Sequence, residues 1–192
     1  MSRIIVDSIR NSSASSDGIT LSSDGKVAFP NTSTGKILQV LSATKTDTTS
    51  FSSANTSNFV DISGLSVSIT PSSTSSKILV VATVAAAVGT GTLHIRLARG
   101  STGIAVGDSS SNRLSSTMSR RSQSSVYDLE VSPMSFNFLD SPNTTSATTY
   151  KAQATAGSTY NTTVYINRSA GDSDYSYGAR VASTITVMEV AA

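Results

Sequence analysis

The two ends of the chain constrain its fold more than anything between them. Near the start it reads Gly18-Ile-Thr-Leu-Ser-Ser-Asp-Gly-Lys-Val-Ala-Phe29, two short alternating segments joined by a Ser-Asp-Gly turn. Asp24-Gly25 between alternating segments is a strong hairpin signal, because both residues tolerate positive φ. With Ile4-Ile-Val-Asp-Ser-Ile9 as a further strand, the opening offers about three apolar residues per strand, too few for a sheet to be stable alone in water. These strands need partner chains or a docking surface. At the other end the chain closes on Ser183-Thr-Ile-Thr-Val-Met-Glu-Val-Ala-Ala192, a long alternating β segment.

From Lys36 onward the pattern is one of repeated long strands. Ile37–Lys45 alternates, and Phe51–Asn58 reads as a polar loop. Phe59–Ile62 and Leu65–Thr70 flank a Ser63-Gly64 turn. Lys77–Val88 is nearly continuous in apolar residues, and its β-branched Ile78, Val80, Val81, Thr83 and Val84 favour a strand over a helix despite Ala85-Ala86-Ala87. Leu93–Arg99 alternates with Leu93, Ile95 and Leu97 inward and His94 and Arg96 outward. Residues 100–125 read as looser. Val126–Val131 and Met134–Leu139 follow, split by Pro133, and then Thr148–Thr155, Thr163–Asn167 and Thr184–Val190. About nine strands at roughly 10–20-residue spacing, with no amphipathic helix, predict an all-β fold. The expected architecture is a jelly-roll-like antiparallel β-sandwich over 36–192, since full-length strands at both ends can pair in one sheet. A short extended strand-and-hairpin segment, 1–35, precedes it. A strand apolar on both faces, such as 77–88, is covered by the core on one side and by a neighbouring subunit on the other, which suits a homotrimer.

Composition narrows the function classes. Only 14% of the 192 residues are charged, against about 25% in typical soluble domains. Ser and Thr make up roughly a third of the chain, which suits strands with neutral polar outer faces. The net charge is +2 and no basic run exceeds Arg120-Arg121, so a nucleic-acid partner is not expected. No cysteine is present, which removes disulfides, thiolate zinc sites and cysteine nucleophiles. Met1–Asp7 is too short an apolar run for a signal peptide. Ile78–Val88 is about half the length of a membrane helix. No membrane insertion is expected, and the chain reads as soluble and made in the cytoplasm.

Chemistry-bearing residues are sparse. The lone His94 sits on a polar strand face, and general-base work needs a positioned partner. Asp128 and Glu130 share a strand face, but glycoside hydrolysis needs two carboxyls across a cleft. Asp172-Ser-Asp174 has the alternating oxygen ligands that calcium favours and lacks the rest of a loop signature. Gly89-Thr-Gly91 reads as a hairpin turn. No enzyme activity, metal or cofactor is expected. Tyr175 and Tyr177 lie in a Ser/Asp/Gly loop beside Arg180, where a flat apolar ring with a hydroxyl suits sugar or subunit contact.

Lys36-Ile-Leu-Gln-Val-Leu41, Phe59-Val-Asp-Ile-Ser-Gly-Leu-Ser-Val-Ser-Ile-Thr-Pro71 and Ser76-Lys-Ile-Leu-Val80 resemble a module of tailed-bacteriophage virion proteins of the marine and cyanophage type. Tyr165-Ile-Asn-Arg168 with the closing strand, and the opening Ile5-Val-Asp-Ser-Ile-Arg10 with Asp17–Leu21 and Asp24–Val27, are similar to that family's ends. The resemblance spans most of 1–190, is patchy over 100–125, and rests on turns and strand patterns. It implies a virion structural protein, typically a tail fibre, assembled as a homotrimer in the host cytoplasm. Residues 1–35 would anchor it to other virion proteins (a tail adaptor or the major capsid protein) through Ile4, Ile5, Val6 and Ile9. The head, 36–192, would contact the host surface, including surface glycan, and the polar loop settings of Arg120 and Arg121, or of Tyr175 and Tyr177, make these the expected contact residues. The alternative is a capsid decoration protein that reinforces the shell. A carbohydrate-active enzyme is the weakest reading, for want of paired acids in a recognisable context.

Overall fold

The computed structural model describes residues 8–9, 19–21, 23, 25, 27–28, 36–53, 58–122, 129–157, 162–176 and 178–192. Within them every regular element is a strand and every pairing is antiparallel. The opening strands β1 (Ser8–Ile9), β2 (Ile19–Leu21) and β3 (Val27–Ala28) form a small sheet in the order β1-β2-β3. Gly25 supplies the positive φ, 80°, between β2 and β3, as Asp24-Gly25 led one to expect. Its apolar residues stay open to solvent: Ile9 is 56% exposed and Val27 53%.

The remaining strands are β4 (Ile37–Lys45), β5 (Thr49–Ser53), β6 (Val60–Ile69), β7 (Lys77–Val88), β8 (Thr92–Arg99), β9 (Thr102–Ile104), β10 (Met118–Arg121), β11 (Ser132–Asp140), β12 (Thr148–Gly157), β13 (Thr162–Ile166) and β14 (Ser183–Val190). They build two sheets. In the first, β4 pairs β14 and β5 pairs β13. Both β14 and β13 pair β7, and β11 pairs β7 along 78–86. In the second, β6 pairs β12 and β12 pairs β8. β10 and β9 then share β8, opposite 92–95 and 97–99. The ladders are nested: β4 with β14, β6 with β12, β7 with β11, β8 with β10.

The two sheets face each other across one apolar core. β7 gives it Ile78, Val80, Ala82, Val84, Ala86 and Val88, every second residue, as the two-residue side-chain period dictates. β6, β8 and β12 close it from the other sheet with Leu65, Ile69, Ile95, Leu97 and three alanines, Ala152, Ala154 and Ala156. At the rim, the Tyr150 hydroxyl donates to Asp140 Oδ2 at 2.6 Å, and Arg99 Nη1 donates to both Asp140 oxygens at 2.8 and 3.0 Å. This part-buried group ties β11 of the first sheet to β8 and β12 of the second. Burial, then the bond to Asp140, pushes the Tyr150 hydroxyl pKa up and keeps it a donor.

Several expectations are corrected. Phe51–Asn58 is not a loop at its start, because Thr49–Ser53 pairs β13. Ser63-Gly64 does not break the chain. The partner of β12 jumps from Ser66, opposite Lys151, to Asp61, opposite Gln153, so the intervening residues form a bulge inside one strand, with Gly64 at φ 86°. The loose region contains β9 and β10. Pro133 lies inside β11, where an edge strand tolerates a missing donor. Leu129–Val131 are not in a strand, and 126–128 fall outside the described residues.

One buried carboxylate sits near the chain's end. Glu189 Oε1 accepts from the backbone N of Ser72 at 2.7 Å and from its hydroxyl at 2.6 Å, and Oε2 accepts from Gln39 Nε2 at 2.6 Å. Burial alone would raise its pKa, but the bonds from Ser72, Gln39 and Ser76 prevail and lower it from 4.5 to about 2. A lowered folded-state pKa stabilises above the unfolded value and is lost as pH falls toward the folded one. Wild-type stability, read as the urea midpoint, therefore falls between about pH 5 and about pH 2. Glu189→Gln should be less stable at neutral pH and lose much of that slope. An unchanged slope would contradict the role given to this carboxylate.

Candidate functional site

The segment between β13 and β14 carries the densest polar chemistry of the described residues. Its base is Asn167, fully buried and in the left-handed region at φ 62°. Asparagine is one of the few side-chain-bearing residues that adopts this conformation readily. Its amide donates to the carbonyls of Lys45 and Asp47 at 2.8 and 2.9 Å, and its side-chain oxygen accepts from Ser183 Oγ at 2.6 Å. Its backbone N donates to Ala85 O at 2.9 Å and its carbonyl accepts from Val181 N at 3.1 Å. Ser183 Oγ in turn accepts from Ala85 N at 2.9 Å. One residue thus joins the β4–β5 corner, β7 and the start of β14, and lets the first sheet pass from β13 to β14.

Above this base the segment is held by charge. Asp172, at φ 45°, meets Arg180 at 2.6 Å and Arg168 at 3.4 Å. The Arg168 guanidinium stacks over Tyr165, 4.3 Å from the ring centroid, and Arg180 also reaches Thr48 Oγ1 at 3.3 Å. Ser169, Asp172, Asp174, Tyr175 and Arg180 line a shallow polar concavity, with Tyr175 57% exposed at its rim. The carboxylate of Asp172 is occupied by two guanidinium groups. No group of three or more metal-ligating side chains gathers among the described residues.

The other sequence candidates lie elsewhere. Arg120 and Arg121 are on β10, in the second sheet. Arg120 is engaged by Glu130 and the Ser132 hydroxyl, linking β10 to the start of β11, while Arg121 is exposed. Arg120 and Arg121 are therefore on a strand of the second sheet, whereas Tyr175 lies in the irregular segment between β13 and β14. Tyr177, Ile4, Ile5, Val6 and Asp128 lie outside the described residues, and Ile9 is the described member of the anchoring set. His94 faces outward, half-buried, with Nδ1 3.3 Å from Ser116 Oγ, and burial lowers its pKa. Beside it the outer face of the second sheet carries a charged network. Lys151 and Gln153 both donate to Asp61 at 2.6 Å, Arg96 donates to Gln153 at 2.7 and 2.9 Å, and Arg96 stacks 4.1 Å above Phe59. Burial pulls Asp61 upward, but the bonds from Lys151 and Gln153 prevail and hold it below its ordinary value.

Neither a protein-family model nor a curated protein matches the chain.

Sequence reasoning missed Asn167, reading it as the last residue of a strand. The available signal was its type, an asparagine directly after an apolar strand and before a polar loop, where a left-handed residue ends the pairing. The base and the tip of this segment should respond differently to mutation. Asn167→Ala takes a donor from the buried Lys45 carbonyl and the part-buried Asp47 carbonyl and an acceptor from the Ser183 hydroxyl, and puts alanine at positive φ. It should cost about 3 kcal/mol or more. Asp172→Asn keeps a residue suited to positive φ and removes one exposed and one half-buried ion pair, a change of about 1 kcal/mol. Urea denaturation of the two variants checks this, and equal losses would contradict the division into structural base and ion-paired tip.

Proposed function

We propose that the chain is a non-enzymatic structural subunit of a tailed-bacteriophage particle, a short homotrimeric fibre with its anchor in residues 1–35 and a β-sandwich head in 36–192. The observation that carries this reading is the opening sheet. Strands of two or three residues that leave Ile9, Leu21 and Val27 exposed are not a stable unit in water, and other chains are the natural cover. A symmetric trimer winds three copies about an axis and closes the edges that one copy exposes.

The strand order supports a jelly roll for the head. First pairs with last, second with second-last, and so inward to β8 with β10, as when one long antiparallel ribbon is rolled into two sheets. Jelly rolls host many unrelated activities, so the function rests on the opening segment and on the resemblance to phage virion proteins. The β13–β14 tip, with exposed Tyr175 beside Arg180 and Asp174, offers an aromatic face with polar groups around it, chemistry that fits a host-surface glycan.

Deleting residues 1–35 tests the anchor. Fragment 36–192 should keep a cooperative β-sheet unfolding transition and fail to copurify with assembled particles, whereas the full chain copurifies. Incorporation of the fragment at the full chain's level would refute the proposal.

A further inference from the structure

The two outer faces of the sandwich differ in kind. The second sheet turns Asp61, Lys151, Arg96 and His94 to its outside. The outside of the first sheet carries charge over β13, where Arg168 stacks on Tyr165, and is nearly uncharged across β4, β14, β7 and β11. Register places Val40, Met188, Leu79 and Leu139 side by side across β4, β14, β7 and β11, and Ser42, Thr186, Val81 and Asn137 in the next row. The row beyond is Thr44, Thr184, Thr83 and Ser135. Lys77 is the one charge in register with this face. It sits at the end beside Val190 and Ile37, with its ammonium bonded to Ser141 Oγ at 2.7 Å. Val40 is 55% exposed and Leu139 53%. β4 is also the outer strand of its sheet and keeps apolar residues open on both of its faces, Val40 on one and Leu41 on the other.

We infer that this face and the open β4 edge form the contact between copies of the chain, an inference that rests on the proposed self-assembly. Three observations select a second copy as the occupant. An uncharged face meets its own copy without stranding a charge. Four strands about 4.8 Å apart and about nine residues long cover roughly 600 Å², and with the β4 edge this approaches the roughly 800 Å² per partner of a standard interface. Finally, β4 begins at Ile37, directly after the segment whose strands need other copies. If residues 1–35 gather about an axis, β4 is the element of the head delivered to it. The charged face of the second sheet is then turned to water.

The absence of native cysteine allows a direct test on the full chain. Leu139→Cys, on an edge strand, and the control Ser66→Cys, on the charged face, are each treated with a short bis-maleimide and run on a denaturing gel. Leu139→Cys should give covalent multimers and Ser66→Cys none. Adding Val40→Lys to Leu139→Cys should reduce the multimer yield at least tenfold with the circular dichroism spectrum unchanged. Cross-linking through Ser66→Cys but not Leu139→Cys, or indifference to Val40→Lys, would overturn this assignment while leaving self-assembly intact. Cross-linking through neither, in a chain that is folded, would overturn both.

Discussion

The last strand, β14, holds the head together. It lies between β4, the head's first strand, and β7, so residues some 150 positions apart in the chain are hydrogen-bonded neighbours. Such non-local pairing is entropically expensive to form and needs a register that cannot slip. β14 is pinned at both ends by buried polar groups that point into the sandwich. At its start Ser183 is bonded to Asn167 and Ala85. Near its close Glu189 is bonded to Ser72 and Gln39. Ile185 and Val187 fill the core between them. A slip of two residues would keep the apolar alternation and strand both polar ends in a dry interior, at several kcal/mol. The apolar period sets which face is in, and the polar ends set which residue pairs with which.

Where the sequence carries a long uninterrupted period, the strand was legible nearly to the residue: Lys77–Val88, Ile37–Lys45 and Thr184–Val190 all fall where alternation or an apolar run places them. Where a strand is short and owes its existence to a neighbour, it was not. Thr49–Ser53 is polar in composition and is a strand because β13 lies beside it. Met118–Arg121 pairs the end of β8 that β9 leaves free. Ser63-Gly64 has the composition of a turn, and only tertiary context shows that the chain absorbs it as a bulge. The candidate site was legible in part. Tyr175 and Arg180 were placed together by proximity in sequence. The left-handed turn at Asn167 had a local signal in its residue type, whereas its bonds to Lys45, Asp47 and Ser183, and the engagement of Arg120 by Glu130, depend on contacts that no local pattern encodes.

The division of charge follows from the same architecture. With 14% charged residues, the chain has few to distribute. It places a network on the second sheet and in the β13–β14 segment, leaving the face of β4, β14, β7 and β11 mostly to Thr, Ser and apolar side chains, with Asn137 within it and Lys77 at its end. That asymmetry is unnecessary for a lone sandwich in water and is useful to one with a partner. Under the proposed self-assembly, the N-terminal strands and the head would share one requirement, apolar surface for another chain to cover.

Sedimentation equilibrium of the full-length chain across the micromolar range tests that shared requirement most directly. The expected result is a single folded species at three times the chain mass of 19.8 kDa. A folded, cooperatively unfolding species at 19.8 kDa at every concentration would contradict self-assembly.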